Sequence, residues 1–370
     1  MKTNRRDFLR HSAVAGAALA LPSSRLLAAQ GAPSPGSVVG ANGDIRVAVV
    51  GFNSRGMDHI NGFKKVPGVR LVALCDVDQD VLGKEAKRQA DAGNPVATYT
   101  DVRKLLESKE VDAISTATPN HWHALISVWA CQAGKDVYVE KPVSHNAWEG
   151  RQIVNAARQY RRIVQTGTQS RSNPGLQEAV AWIRAGNLGD VQLVRGLCYK
   201  PRQSIGKVTA PTAVPSSINY DLWCGPAPMG PLMRQKLHYD WHWVFSTGNG
   251  DLGNQGIHQM DIARWVLGES QLSPLVFSVG GRFGYADDGN TPNTQIVYHG
   301  YAKAPLIFEV RGLPRSKEFH DPQTWGKNMD DLKGARIGVI VECRNGSMVI
   351  PSYDSAIAYD TAGKEVKRFQ

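Results

Sequence analysis

The stretch Gly248 to Asp261 sets an imidazole, His258, and two carboxylates, Asp251 and Asp261, among Gly248, Gly250, Gly253 and Gly256. Glycine lets backbone approach a ligand closely, and an imidazole titrates near neutral pH, so this segment can carry proton chemistry. A second concentration is Gly51-Phe52-Asn53-Ser54-Arg55-Gly56, between the apolar run Ile45 to Val50 and a helical pattern. Its spacing is that of a dinucleotide-binding turn. Gly51 would make the tight turn, Gly56 the close packing of helix on strand, and the free N–H groups of the helix would face a pyrophosphate. Asn53 replaces the usual middle glycine; asparagine tolerates left-handed backbone and can donate to phosphate. The next strand-like run ends in Asp76, about 20 residues on, where a carboxylate accepts both ribose hydroxyls. A 2′-phosphate would be repelled there, although Arg55 could partly compensate, so NAD is expected rather than NADP.

These residues need a frame. Short β-branched runs at Ile45 to Val50, Arg70 to Cys75, Ala113 to Thr116 and Asp136 to Val139 alternate with helical patterns at Val81 to Ala92, His123 to Ala133 and Ala147 to Arg161. A last strand is expected near Ile163 to Thr166. Such alternation predicts βαβ units and a parallel sheet, an α/β Rossmann domain over residues 44–166. Ligands of open α/β sheets bind at the carboxyl edge of the strands. The turn at Thr118-Pro119-Asn120-His121-Trp122-His123 and the triplet Glu140-Lys141-Pro142 both fall there. Residues 167–370 carry strand-like runs with few helices: Val191 to Tyr199, Leu275 to Phe283, Gln295 to Tyr301, Leu306 to Arg311 and Arg336 to Cys343. They predict an α+β domain on a large, mostly antiparallel sheet.

The Glu-Lys-Pro triplet after Val137-Tyr138-Val139 and the Gly248 to Asp261 segment together resemble the paired signatures of the Gfo/Idh/MocA oxidoreductases, nicotinamide-dependent enzymes acting mostly on sugars and cyclitols. The resemblance covers residue 44 to the end. It implies cofactor contact by Thr118, Pro119, Asn120 and Glu140, with His123 in support. It also implies that Lys141 bonds the reacting hydroxyl and contacts cofactor, and that His258 accepts the proton. Many relatives have aspartate four residues before this histidine, whereas Asn254 stands here; an amide cannot take a proton, so Asn254 is expected to bind a substrate hydroxyl. Asp261 is either a substrate contact, a structural acceptor or an orienting group for His258.

Aromatic residues among hydrogen-bonding groups suit a carbohydrate, and Trp223, Tyr239 and Trp241 are candidates for its binding, with loop packing as the other reading. His238 and His242 have a chelating spacing but no third ligand, so no metal is expected. The five cysteines show no metal-type spacing and read as free buried thiols.

The chain opens on Asn4-Arg5-Arg6-Asp7-Phe8-Leu9-Arg10 and a weakly apolar run, a twin-arginine pattern. Residues 1–30 read as a signal and 31–43 as a linker. The Tat machinery is therefore an expected partner, and the destination the periplasm or another exported site, with an uncleaved signal as anchor the alternative. Export of a folded protein fits a cofactor loaded beforehand and tightly held. The net charge of +10 is dispersed, which argues against nucleic acid. A homo-oligomer through the second-domain sheet is expected, and the last residues read as a shortened C-terminus. Three functions stay open: an NAD-dependent sugar oxidoreductase, redox-neutral glycoside cleavage through a transient keto-sugar, and a non-catalytic sugar-responsive binding protein.

Overall fold

A computed structural model describes residues 43–321 and 323–370. The expected signal and almost all of the linker lie outside the described residues.

Six strands, β1 (Ile45–Val50), β2 (Val69–Cys75), β3 (Ala97–Tyr99), β4 (Ala113–Thr116), β5 (Asp136–Val139) and β6 (Val164–Thr166), form a parallel sheet in the order β3-β2-β1-β4-β5-β6. Helices α1 (Arg55–Phe63), α2 (Gln79–Asp91), α3 (Val102–Leu106), α4 (Asn120–Gln132) and α5 (Ala147–Tyr160) lie between them in the chain. Side chains of Asp78, Asp101 and Asn146 cap α2, α3 and α5 by accepting from N–H groups of the first turn. Helix α4 begins at Asn120, three residues ahead of the expected start, because Pro119 stands at its N-cap and needs no N–H partner. Strand order reverses at the β1–β4 pair, where Val50 lies beside Thr116, and this switch point opens a crevice at the carboxyl edge.

The second sheet is built from β7 (Val191–Cys198), β8 (Val276–Gly281), β9 (Thr294–His299), β10 (Leu306–Arg311), β11 (Ile337–Cys343), β12 (Gly346–Ile350), β13 (Ala356–Tyr359) and β14 (Glu365–Phe369). Its order is β14-β13-β12-β11-β7-β10-β9-β8, antiparallel throughout except for β7 beside β10. The remaining helices are α6 (Pro174–Arg184), α7 (Tyr220–Cys224), α8 (Gly250–Asn254) and α9 (Gly256–Leu267). Leu176 and Ile183 of α6 and Ile262 and Val266 of α9 share one core with Val194, Phe308 and Val341 of the sheet. A Cβ on Gly256 would lie 2.4 Å from the Phe308 ring, so glycine is what lets the start of α9 press against the sheet.

Between β7 and α8 the chain makes a long excursion back over the first domain. Ile218 bridges Asp78, the Gln79 N–H donates to the Ser217 carbonyl at 2.9 Å, and His238 Nε2 pairs with Asp78 at 3.0 Å. Asn249 Nδ2 donates to the His145 carbonyl at 2.9 Å. These contacts fix the loops of the second domain against the carboxyl edge of the parallel sheet.

Candidate active site

A cavity of about 490 Å³ runs along that edge. Its first end is the turn Gly51 to Arg55. Gly51 has φ +73, and a Cβ there would lie within 3 Å of Thr118; a Cβ on Gly56 would sit 2.1 Å from the Gly51 carbonyl. Both glycines are thus demanded by close backbone approach. Asn53 and Ser54 line the cavity directly ahead of α1, and a helix start is a ready place for a phosphate. Asp76 also lines it, with Oδ2 accepting from the Phe52 N–H and Oδ1 from the Asp78 N–H, both at 3.0 Å. Burial raises the Asp76 carboxyl, and those two backbone bonds oppose the rise. The residues present fit a dinucleotide: a side-chain-free turn, a helix start and a carboxylate with lone pairs to spare.

Arg55 does not turn toward Asp76. Its Nε donates to Glu140 at 2.9 Å, one terminal nitrogen to Asp58 and the other to Gln169, which leaves it poorly placed to offset a 2′-phosphate. Glu140 lines the cavity, but its oxygens are engaged within the protein, Oε1 by Arg55 and His59 and Oε2 by the Lys141 N–H. Burial works against the charge, yet the bonds from His59 and Arg55 hold this carboxyl down to about 2. Its evident work is to fix the backbone at Lys141.

Thr118, Pro119 and Asn120 line the middle of the cavity. His123 is buried beneath them, Nε2 at 2.8 Å from the Thr118 carbonyl and Nδ1 at 2.6 Å from the Pro142 carbonyl, tying two cavity-wall segments together. Pro142 follows a cis peptide bond.

At the far end Lys141 Nζ donates to the Asn254 carbonyl at 2.7 Å and to Asn254 Oδ1 at 3.2 Å, so residues 113 apart in the chain meet. His258 lies one helical turn beyond Asn254, 8% exposed, its ring edge-on to Tyr353 at 5.1 Å between centroids. Among the described residues no hydrogen bond to its ring is formed. Burial first, and the Lys141 charge second, push this imidazole down to about 4, so it is neutral at pH 7 with a free acceptor nitrogen. Burial likewise lowers Lys141, with Glu140 opposing.

Tyr239 and Trp241 line the same end from the excursion. Tyr239 is 53% exposed and takes φ +68, and its hydroxyl accepts from Arg202 at 3.1 Å. Trp241 stacks on His242 at 3.6 Å. Trp223 touches the cavity but is 5% exposed, stacked on Tyr220 and under the Arg234 guanidinium, and its carbonyl receives Trp122 Nε1. Packing is its main task. Asp261 is engaged within the protein: Arg171 grips both its oxygens at 2.8 Å, which gives it the structural role among the three expected for it. His238 and His242 also part company, the first on Asp78 and the second on the Tyr239 carbonyl, and no group of three or more metal-ligating side chains forms among the described residues.

Several participants had no signal of their own in the sequence. Arg202 forms a buried two-point pair with Asp251 at 2.7 and 2.8 Å, anchoring α8 just ahead of Asn254. Tyr353, in the loop after β12, accepts from Gln255. His59 is a further buried support, as is His121 of the turn already noted in the sequence, and their partners lie 56 to 126 residues away.

A switch-point sheet with a glycine turn and a strand-end carboxylate, joined to an eight-stranded sheet domain, defines an NAD-binding oxidoreductase fold. The comparisons agree. The NAD-binding Rossmann fold of the Gfo/Idh/MocA oxidoreductase family matches residues 45–168, and the C-terminal alpha/beta domain of that family matches residues 190–308. The chain belongs to this family. A twin-arginine translocation signal matches residues 2–22.

Among curated relatives, inositol 2-dehydrogenase 1 of Saccharopolyspora erythraea is 35% identical over 152 residues, 40% of this chain and 44% of that protein. A glycosyl hydrolase family 109 protein of the same organism is 33% identical over 172 residues, 43% of this chain and 38% of that protein. The chain thus spans less than half the length of these relatives. Among solved structures, levoglucosan dehydrogenase with NADH has a TM-score of 0.65 at 18% identity, covering 88% of this chain and 79% of that one. The WlbA dehydrogenase of Bordetella pertussis with NADH and UDP-GlcNAcA has a TM-score of 0.61 at 19% identity, covering 84% and 80%.

Proposed function

We propose that this chain is an exported NAD-dependent oxidoreductase acting on a hydroxyl-bearing carbon of a sugar or cyclitol. The observation that carries the reading is the meeting of Lys141 with Asn254 at the cavity end opposite Asp76, with the neutral, unbonded His258 imidazole one turn further along. Gly51, Asn53, Ser54, Gly56 and Asp76 would hold NAD, which supplies a two-electron acceptor for hydride. Lys141 donates to the reacting oxygen and stabilises negative charge developing on it. Asn254 orients the sugar, since an amide bonds hydroxyls without titrating. His258 takes the hydroxyl proton, its lone pair being free at neutral pH. Tyr239 and Trp241 present apolar ring faces to the C–H face of the sugar.

A second reading has an observation in its favour. The excursion that carries Ile218 and His238 roofs the cofactor end of the cavity, an arrangement that suits a cofactor retained between turnovers, and one of the relatives is a glycosyl hydrolase family 109 protein. In redox-neutral cleavage a ring hydroxyl is oxidised and the adjacent C–H, now acidic, loses its proton. The glycosidic C–O bond then breaks with the aglycone, water adds, and the hydride returns to the sugar.

The test is the absorbance spectrum and released nucleotide of purified protein, before and after mixing with candidate sugars. NADH accumulating with a free sugar supports net oxidation; aglycone release with no net change in retained NAD supports cleavage. NAD that neither binds nor changes with any sugar would sink both. The sheet is also the surface we assign to self-association, because the edge strand β8 leaves Phe277 and Val279 more than half exposed.

A further inference from the structure

The charges on and behind the Lys141 end of the cavity wall do not balance. Arg55 is matched by Glu140 and Arg202 by Asp251. Lys141 and Lys200 are not matched: neither ammonium has a carboxylate within 4 Å among the described residues. Lys141 is bonded only to the two oxygens of Asn254, and Lys200, just past the end of β7, reaches only Gln255 Oε1 at 3.5 Å. Both side chains are partly buried, and burial pushes both ammonium groups down, as expected for charge removed from water without a counter-ion. Developing alkoxide character at one hydroxyl uses one ammonium, and the other is left over.

Lys200 also has the right neighbours for a ligand group. Gln255, which it touches, donates to the Tyr353 hydroxyl, and the Tyr353 ring meets His258. The Tyr353 hydroxyl therefore has its own proton to give, beside an ammonium, next to the proton-accepting histidine.

We propose that the substrate is a sugar acid whose carboxylate is held by Lys200 and the Tyr353 hydroxyl, leaving Lys141 and His258 to the reacting hydroxyl. This rests on the oxidoreductase reading above and narrows its substrate class. One spare ammonium and one spare hydroxyl match a monoanion; a phosphate dianion would need more positive charge than the site holds.

The experiment is calorimetric titration of the full chain, saturated with NAD, with glucuronate, galacturonate and mannuronate, each beside its parent hexose and hexose 6-phosphate. At least one uronate is expected to bind about tenfold more tightly than its hexose, the scale of one charge-assisted hydrogen bond. The advantage should shrink as salt rises. Lys200→Gln should erase it and Lys200→Arg should keep most of it. The proposal is overturned if every hexose binds as tightly as its uronate, if the 6-phosphates outrank the uronates, or if Lys200→Gln keeps the advantage. Sugar oxidation without preference for acids would defeat this inference alone. A uronate that binds through Lys200 yet never reduces NAD would instead defeat the oxidoreductase reading.

Discussion

His121 and His258 are buried imidazoles held at about 4 in the folded chain, His121 chiefly by burial and His258 by burial with Lys141. Unfolding returns each to about 6.5. Between those values the unfolded chain binds protons that the folded chain refuses, so stability is full above about pH 6.5 and falls as pH drops toward 4. The expected loss is roughly 1.4 kcal/mol per pH unit for each histidine. Urea unfolding at several pH values between 7 and 4 measures it, and a flat profile would contradict the burial argument. At the cofactor end, Asp76→Ala should weaken NAD and relax its preference over NADP, because the carboxylate both accepts from the ribose and repels a 2′-phosphate. Tighter NADP than NAD binding by the unaltered protein, in a fluorescence titration, would rule this out. Asp76 was legible because fingerprint spacing is local. Asp261 was less legible because its partner, Arg171, lies 90 residues away in the chain.

At the scale of elements, five of the six strands of the parallel sheet could be read almost to the residue, since buried β-branched runs such as Ile45–Val50 and Ala113–Thr116 leave little choice of conformation, whereas the three-residue edge strand β3, mostly exposed, carried no such signal. Helix α6 and the hairpins β12 to β14 were less visible. The hairpin strands are short and mix Lys, Glu and Ser with apolar residues, and their pairing rests on neighbours rather than on pattern. Nothing in the sequence tied the end of β7 to α8. Arg202 does so through Asp251, which is 1% exposed. Arg202→Met would leave that carboxylate buried and unpaired, at a cost of about 3–5 kcal/mol. The double variant with Asp251→Leu should recover much of the loss. Chemical denaturation of both variants checks this, and equal stability of Arg202→Met and the unaltered protein would show that the pair anchors nothing.

For the molecule as a whole, the twin-arginine match at residues 2–22 and the NAD-binding fold belong together. A chain that folds around a dinucleotide before export needs a route for folded protein. Replacing Arg5 and Arg6 together with lysine should hold the folded protein in the cytoplasm. Fractionation with the double variant still crossing normally would show that the signal is not used. No helix among the described residues is long and apolar enough to cross a membrane.

The central claim is that His258 and Lys141 act on one reacting hydroxyl. It is tested most directly by single-turnover NADH formation in the unaltered protein, His258→Ala and Lys141→Ala, with NAD affinity measured in parallel. General-base catalysis contributes about a hundredfold to ten-thousandfold. His258→Ala should therefore slow hydride transfer by that order with NAD affinity nearly unchanged, and Lys141→Ala should slow it similarly while also weakening the sugar. A His258→Ala variant that reduces NAD at the unaltered rate would contradict the account.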